Sequence, residues 1–553
     1  MFVLGRLFYV QVIWGEDLQN KALDQWTREI PIVAQRGIII DCNGVVLVGN
    51  DDTYSVFVRK RAVKDVDSLC KTLSSILQID YDFVYNRLTT TSSSEVTIKK
   101  QVPKEQINLL LEKEISGVYY SRDNSRTYPY GEFLTNVLGF TSTDGKGQSG
   151  LELYYDKYLS GIDGEILYQT DIVGVEIDNS SAEYIPATKG LSLKLTIDYD
   201  VQQLCEWAME QAMQTHKPKS AQILIIDPNT GAIRGMCSKP SYDLNEIPRD
   251  DLTTLHALSR NSLVCDVYEP GSTFKILTTA ANLEEYLQGN KNAYSPTHVF
   301  NSSRYRYISG QKVKCWSDHK NGKHSCLDIQ GGLINSCNPI FVDMAMSLGK
   351  DVIYKYIEAF NYSTVTGIDF NGEAQGMVIP KSAVLDVDLA RIAFGQTIAV
   401  TGLQLAAATC SAINGGNYYK PYLVSSIYDD NGIVAQTFKP QLKNKTISKQ
   451  ASSMLNSMLE KVVSEGSGKQ AYIEGYRVAG KTGTAQKYQD GKIAVGKYVS
   501  SFVGYFPAND PKYLALVIID EPVGQYYGST VAAPYAKSVF EGIINLKDLK
   551  PQS

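Results

Sequence analysis

The chain has 553 residues and a formal charge of −5, with 43% hydrophobic and 20% charged residues. That length suits several domains and that apolar share supports a buried core, so neither a disordered chain nor one small module fits. The acidic balance argues against a nucleic-acid-binding protein, which carries a basic excess.

The first residues, MFVLGRLFYVQVIWGEDL, are apolar but interrupted by Arg6 and Gln11. They are too short to span a membrane alone, which takes about 20 apolar residues. The segment reads either as an amphipathic or core helix, or as the outer end of an anchor whose earlier part lies upstream. Residues 21–190 read as one mixed region. Within it RGIIIDCNGVVLVGN (Arg36–Asn50) has the pattern of a strand, a turn at Asn43-Gly44 and a second strand. Residues 104–114 carry helical spacing. The glycine-rich stretch Gly145–Gly150 lacks the Lys-Ser/Thr that a phosphate-binding loop needs. EYIPATKG, residues 183–190, reads as a linker, with Pro186 and Gly190 as breakers.

From 191 to 548 the pattern is more regular. Ala221–Asp227 and Ala232–Met236 read as a hairpin, and Gly475–Lys481, Ser501–Phe506 and Tyr513–Asp520 as three more strands. A last helix is expected over Ala533–Leu546, and the stretch between the two strand groups is mostly helical. The order implies an α+β protein: an antiparallel sheet flanked by helices, with a helical insertion, behind an elongated mixed N-terminal domain.

Three elements carry chemistry. In YEPGSTFKILTTAANLEEYLQG (Tyr268–Gly289), Pro270-Gly271 leads into a helix pattern with Ser272 at its start and Lys275 one turn on. A buried, neutral Lys275 can take the Ser272 proton and make the hydroxyl a nucleophile. Ser68/Lys71, Ser309/Lys312 and Ser347/Lys350 share the spacing but not the lead-in, and read as ordinary polar residues. Ser336-Cys337-Asn338 lies downstream; a serine on a turn can relay a proton and an asparagine can orient an amide. Standing alone it would read as an Asx turn before Pro339. Lys481-Thr482-Gly483-Thr484 follows a strand pattern with a cation, two hydroxyls and a glycine that admits a substrate backbone. Ser-x-x-Lys, Ser-x-Asn and Lys-Thr-Gly in that order are the signature of penicillin-recognising serine enzymes.

On these motifs the chain resembles a class B penicillin-binding protein over nearly its whole length. RTYPYGEFLTNVLGF (Arg126–Phe140) and GQSGLELYYDKYLSG (Gly147–Gly161) resemble motifs of that family's pedestal domain, Glu152 included. FGQTIAVTGLQLAAA (Phe394–Ala408) and VAGKTGTAQK (Val478–Lys487) resemble its transpeptidase domain. The Cys-Trp before the second motif, and Ser-Cys-Asn itself, look most like the sporulation group, beside the elongation and division types. The resemblance implies three parts: the end of an anchor at 1–20, a pedestal or dimerisation domain at 21–190 and a transpeptidase domain at 191–548. It implies a D,D-transpeptidase that crosslinks peptidoglycan stem peptides through an acyl-enzyme on Ser272 and is acylated by β-lactams. Lys275 would be the base, Ser336 and Lys481 the proton relay, and Asn338 the holder of the donor peptide. Thr482 and Thr484, aided by Lys481, would bind the terminal carboxylate, with Gly483 admitting the substrate backbone. It also implies a membrane glycosyltransferase partner of the shape, elongation, division and sporulation type, and a catalytic domain outside the cell. A penicillin-binding scaffold that mainly activates that partner is the other reading.

One feature is not explained by catalysis, which needs no metal. The chain has nine Cys and five His; the count is odd and too sparse for a disulfide scaffold. CWSDHKNGKHSC (Cys315–Cys326) gathers Cys315, Asp318, His319, His324 and Cys326 just before Ser336. About four of these could hold a structural zinc that braces the second motif. A Cys315–Cys337 disulfide, or neither, are the competing readings.

Overall fold

A computed structural model of the chain describes residues 2–15, 18, 27–169, 183–319, 324, 327–489 and 492–551. Its strands fall in three main sheets. In chain order those of the N-terminal region are β1 (Thr27–Ile32), β2 (Ile39–Ile40), β3 (Val46–Arg59), β4 (Glu95–Val102), β5 (Val118–Thr127), β6 (Gly164–Gln169), β7 (Glu183–Ile185) and β8 (Ser192–Leu195). The C-terminal region contributes β9 (Ser220–Ile226), β10 (Ile233–Lys239), β11 (Val424–Tyr428), β12 (Val434–Thr437), β13 (Ala479–Gln489), β14 (Lys492–Phe506) and β15 (Tyr513–Asp520).

The strands β9, β10 and β13–β15 form one antiparallel sheet in the order β10-β9-β15-β14-β13. Side chains alternate between its faces with period two. Ile223, Ile225, Val517 and Ile519 meet α1 (Tyr199–His216) and the C-terminal helix Ala533–Leu546. Leu224, Ile226, Leu516 and Ile518 join the large core that contains Ile276 and Leu277 of α2 (Lys275–Leu287) and Leu405 of α3 (Gly402–Ile413). Both faces are covered, so β9 and β15 read as continuous apolar runs. The antiparallel sheet with helices on both faces and helical segments between its strand pairs is the expected α+β arrangement.

Two local readings change. The Lys481 motif does not follow a strand; it lies inside β13, whose ladder runs on from Ala479 to Gln489 against β14. Its polar Thr-Gly-Thr reads locally as a turn, but the neighbouring strand supplies the pairing. The stretch 183–190 is not a free linker either: β7 pairs with β6, and Thr188 bridges Ile162.

The third sheet joins the two regions. Its strand path is β12-β11-β8-β2-β3-β4, with β5 also paired to β3. Ser192–Leu195 pairs with Ile39–Ile40 on one side and with Val424–Tyr428 on the other. Beneath it, Glu152 receives Arg36 Nε at 2.6 Å and Arg126 Nε at 2.6 Å, and all three side chains are buried. Arg36 also donates to Gly145 O at 3.0 Å, so the glycine-rich stretch is occupied by an arginine of its own chain. At the N-terminus, a helix at Phe2–Phe8 runs into a turn at Tyr9–Ile13, with Val3, Phe8, Val12 and Ile13 exposed. No helix among the described residues is long and apolar enough to cross a membrane.

Candidate active site

Gly271–Phe274 forms a 3-10 turn that leads directly into α2, and Gly271 makes the bend at φ 56°. Ser272 is half-buried on this turn, and Lys275 is the first residue of the helix behind it. Lys275 is fully buried. Its ammonium reaches Ser336 O at 2.8 Å, Ser336 Oγ at 3.0 Å and Asn338 Oδ1 at 2.7 Å. Loss of water brings its ionisation down to about 8, against the opposing pull of the nearby Cys315 and Cys337 side chains. By contrast Lys71, at the same spacing from a serine, is 70% exposed and paired with Asp67.

Lys481, also fully buried, donates to Ser336 Oγ at 3.1 Å. Burial, and then the charge of Lys275, push its ionisation well below the ordinary lysine value. Ser336 thus lies between two amines. It holds a left-handed backbone, φ 51°, unusual for a residue with a side chain. This bend precedes the helix Asn338–Leu348, so one short turn presents Ser336 Oγ, Cys337 and Asn338 together.

Gly483 shows why the third motif needs a glycine. A Cβ there would lie 2.5 Å from Ser501 Oγ and 3.0 Å from both Pro270 O and Thr273 Cγ2. The missing side chain lets β13 close against the Ser272 turn, rather than making room only for a substrate. Thr482 Oγ1 donates to Ser467 Oγ at 3.2 Å, and Gly528 N donates to Thr484 Oγ1 at 3.1 Å. β13 is the outermost strand of its sheet.

The structure therefore brings Lys275, Ser336, Asn338 and Lys481 into one hydrogen-bonded group, with the Ser272 turn and Thr482–Thr484 against it. Ser467 and Gly528 also enter this neighbourhood. Neither belongs to a motif; the Gly466-Ser467-Gly468 run is the one local signal, a tight-turn composition, at Ser467.

The cysteine–histidine stretch folds beside the second motif. Ligand atoms of Cys315, His319, His324 and Cys337 all lie within 4.8 Å of one another. Cys337 completes this group. Asp318 is exposed and is not part of this group, and Cys326 lies outside the described residues. His319 Nδ1 contacts Ser302 O at 2.9 Å, and the two imidazoles stack at 4.3 Å. Cys315 and Cys337 are free thiols. The Cys337 hydrogen bond pulls the ionisation of Cys315 down, while the same contact and burial push that of Cys337 up. Trp316 Nε1 donates to Asn335 O at 3.2 Å and Ser336 O at 3.1 Å, tying this stretch to the Ser336 turn.

Residues 221–541 match the model of the penicillin binding protein transpeptidase domain, and residues 31–195 that of the penicillin-binding protein dimerisation domain. The chain is 37% identical to Stage V sporulation protein D of Bacillus subtilis (strain 168), over 99% of this chain and 84% of that one. It is 26% identical to peptidoglycan D,D-transpeptidase FtsI of Escherichia coli (strain K12), over 100% of this chain and 90% of that one. Its fold matches penicillin binding protein 2X from Streptococcus thermophilus with a TM-score of 0.76 at 22% identity, covering 94% of this chain and 81% of that one. With two matching domain models, a relative aligned along its length and three motifs folded into one site, the chain belongs to the class B penicillin-binding proteins, the transpeptidases that crosslink peptidoglycan.

Proposed function

We propose that Ser272 is the nucleophile of this transpeptidase and that Lys275 is its base. The observation that carries the reading is the buried Lys275–Ser336–Lys481 group behind the Ser272 turn. Ser272 attacks the carbonyl of the penultimate D-Ala of a donor stem peptide, and its proton passes to the neutral Lys275 amine. Ser336, held between the two lysines, hands a proton to the departing D-Ala. Asn338 orients the donor peptide, while Thr482 and Thr484 hold its terminal carboxylate. The backbone N–H groups of Ser272 and Thr484 receive the oxyanion; losing one such donor costs about 10²–10³ in rate. An amine from a neighbouring stem then displaces Ser272 and completes the crosslink. A β-lactam acylates the same oxygen.

Fluorescent penicillin tests the assignment. The wild type should label covalently and Ser272→Ala should not. Labelling of the Ala variant at wild-type level would overturn it.

The relatives and the N-terminus support a particular setting. The sporulation protein is the more similar of the two named relatives, at 37% against 26% identity, which supports a role in spore-wall synthesis. The exposed Val3, Phe8, Val12 and Ile13 support attachment to a membrane, with the catalytic region on the outer side beside a membrane glycosyltransferase. Deleting the gene should lower the yield of heat-resistant spores while growth continues; arrest of growing cells would place the enzyme in division or elongation instead.

The Cys315, His319, His324 and Cys337 group takes a structural zinc in this reading. Two thiols and two imidazoles are the donor set of a closed tetrahedral zinc site. The Nδ1 contact to Ser302 O leaves His319 Nε2 for the metal, the usual way a ligand ring is oriented. His324 Nδ1 is buried without a hydrogen-bond partner among the described residues. The ion would hold the second motif in place and take no part in the acylation chemistry. Purified without chelators, the protein should carry about one zinc per chain, and Cys337→Ser should lose it. Absent zinc with two fewer free thiols would replace the metal by a Cys315–Cys337 disulfide.

A further inference from the structure

Outside the Ser272 site, a cavity of about 290 Å³ opens at the seam of the two regions. This is near the lower end of ligand-pocket volumes, about 300 Å³. One wall is the helical stretch Gly150–Leu159, which supplies Tyr154, Tyr155, Lys157 and Tyr158. The other comes from Lys420, Tyr422 and the segment that follows β12, with Phe438 and Lys439.

The wall is built around Tyr155. Its ring lies 5.0 Å from Tyr154, 6.2 Å from Tyr158 and 6.5 Å from Phe438. It is fixed from behind: its hydroxyl donates to Asp369 Oδ2 at 2.8 Å, and Asp369 also accepts from Leu423 N and Val424 N. Asp369 is the only carboxylate of the lining and is itself buried. Lys157, Lys420 and Lys439 have no ion-pair partner among the described residues. Lys157 Nζ lies 4.7 Å from the centre of the Tyr158 ring. The cavity therefore presents a rigid cluster of aromatic rings, ringed by ammonium groups, with its single negative charge hidden behind the wall.

Aromatic rings offer flat apolar faces, and tyrosine adds a polar tip. Unpaired ammonium groups at a rim select negatively charged partners. A ligand that satisfies both has ring C–H faces and carboxylates on one scaffold. The substrate of a peptidoglycan transpeptidase is such a molecule: a sugar chain whose alternate rings carry peptides with free carboxylates. We propose that this cavity is a second substrate site, which holds the glycan strand of peptidoglycan while Ser272 acts on a stem peptide. The proposal rests on the transpeptidase reading for its choice of ligand, but on none of the residues of the Ser272 site.

The test uses uncrosslinked glycan strands whose stem peptides have been trimmed of the terminal D-Ala by a carboxypeptidase, which removes the bond that Ser272 attacks and leaves the peptide carboxylates in place. The full chain is measured against Tyr158→Ala and against the double variant Lys157→Glu, Lys439→Glu. These side chains stand at the surface or half-buried, so thermal melting should match the wild type. Wild-type protein should bind strands in a salt-sensitive manner. Each variant should bind about tenfold more weakly or worse, a loss of about 1.4 kcal/mol. Fluorescent penicillin labelling should stay at the wild-type level in all of them. Equal strand binding by wild type and variants, or no binding by wild type, would overturn the proposal. So would weakened binding of the variants to vesicles of anionic lipid with strand binding unchanged, which would mark the cavity as a headgroup site. Failure of the wild type to label would count against Ser272 alone, because the strand measurement is independent of it.

Discussion

Two buried amines facing one serine hydroxyl set the chemistry at the residue scale. A lysine serves as a base only when neutral, and desolvation brings Lys275 down to about 8. The fraction of free amine grows as pH rises through that value, so acylation by a penicillin should speed up towards about pH 8 and level off above it. Stopped-flow acylation across pH checks this; a flat profile would remove Lys275 from the base role. Lys275→Arg keeps a cation but cannot give up its proton, and should slow acylation about 10²–10⁴-fold. Much of this site was legible in the sequence because the chemistry restricts the residue types: Ser272, Lys275, Ser336, Asn338 and Lys481 announce themselves by kind and order. The fourth member of the cysteine–histidine group did not. Spacing along the chain favoured Asp318 and Cys326, whereas Cys337 arrives through the left-handed turn at Ser336, and short-range pattern carries no sign of that bend.

At the scale of the element, β13 is placed by what it lacks. Gly483→Ala would drive a methyl into Ser501 and the Pro270–Thr273 turn. Overpacking of this kind costs about 1–3 kcal/mol, and the Ser272 turn should shift with it. Denaturant melts and penicillin acylation should both fall; an Ala variant with wild-type values in both would show that the turn has room to move. The strands β9 and β15 were legible because their apolar runs are bounded by turn residues. The length of β13 and the pairing of β7 were not, because each depends on hydrogen bonds to a partner strand and not on its own composition.

Over the whole molecule, the Glu152 carboxylate and the shared sheet bind the N-terminal region to the rest. Among the described residues Glu152 is the one carboxylate paired with Arg126, and it shares Arg36 with Asp156. Glu152→Ala would leave buried guanidinium groups without their main counter-charge, a loss of about 3–5 kcal/mol. Equilibrium unfolding in urea should register it, while a wild-type midpoint would show that water reaches the pair. The sheet that runs from β12 through β8 to β4 was hidden from the sequence, since the register of strands far apart along the chain leaves no local trace. Its consequence is practical. A fragment begun at residue 191 would keep β8 but lose the strand that shields its far side, baring a row of unpaired amides and carbonyls. Such a rim is a template for other chains, so the excised catalytic piece should emerge from a sizing column as aggregates while the intact protein does not. In this molecule the cutting point that a domain map suggests is a seam sewn through by a β-ladder.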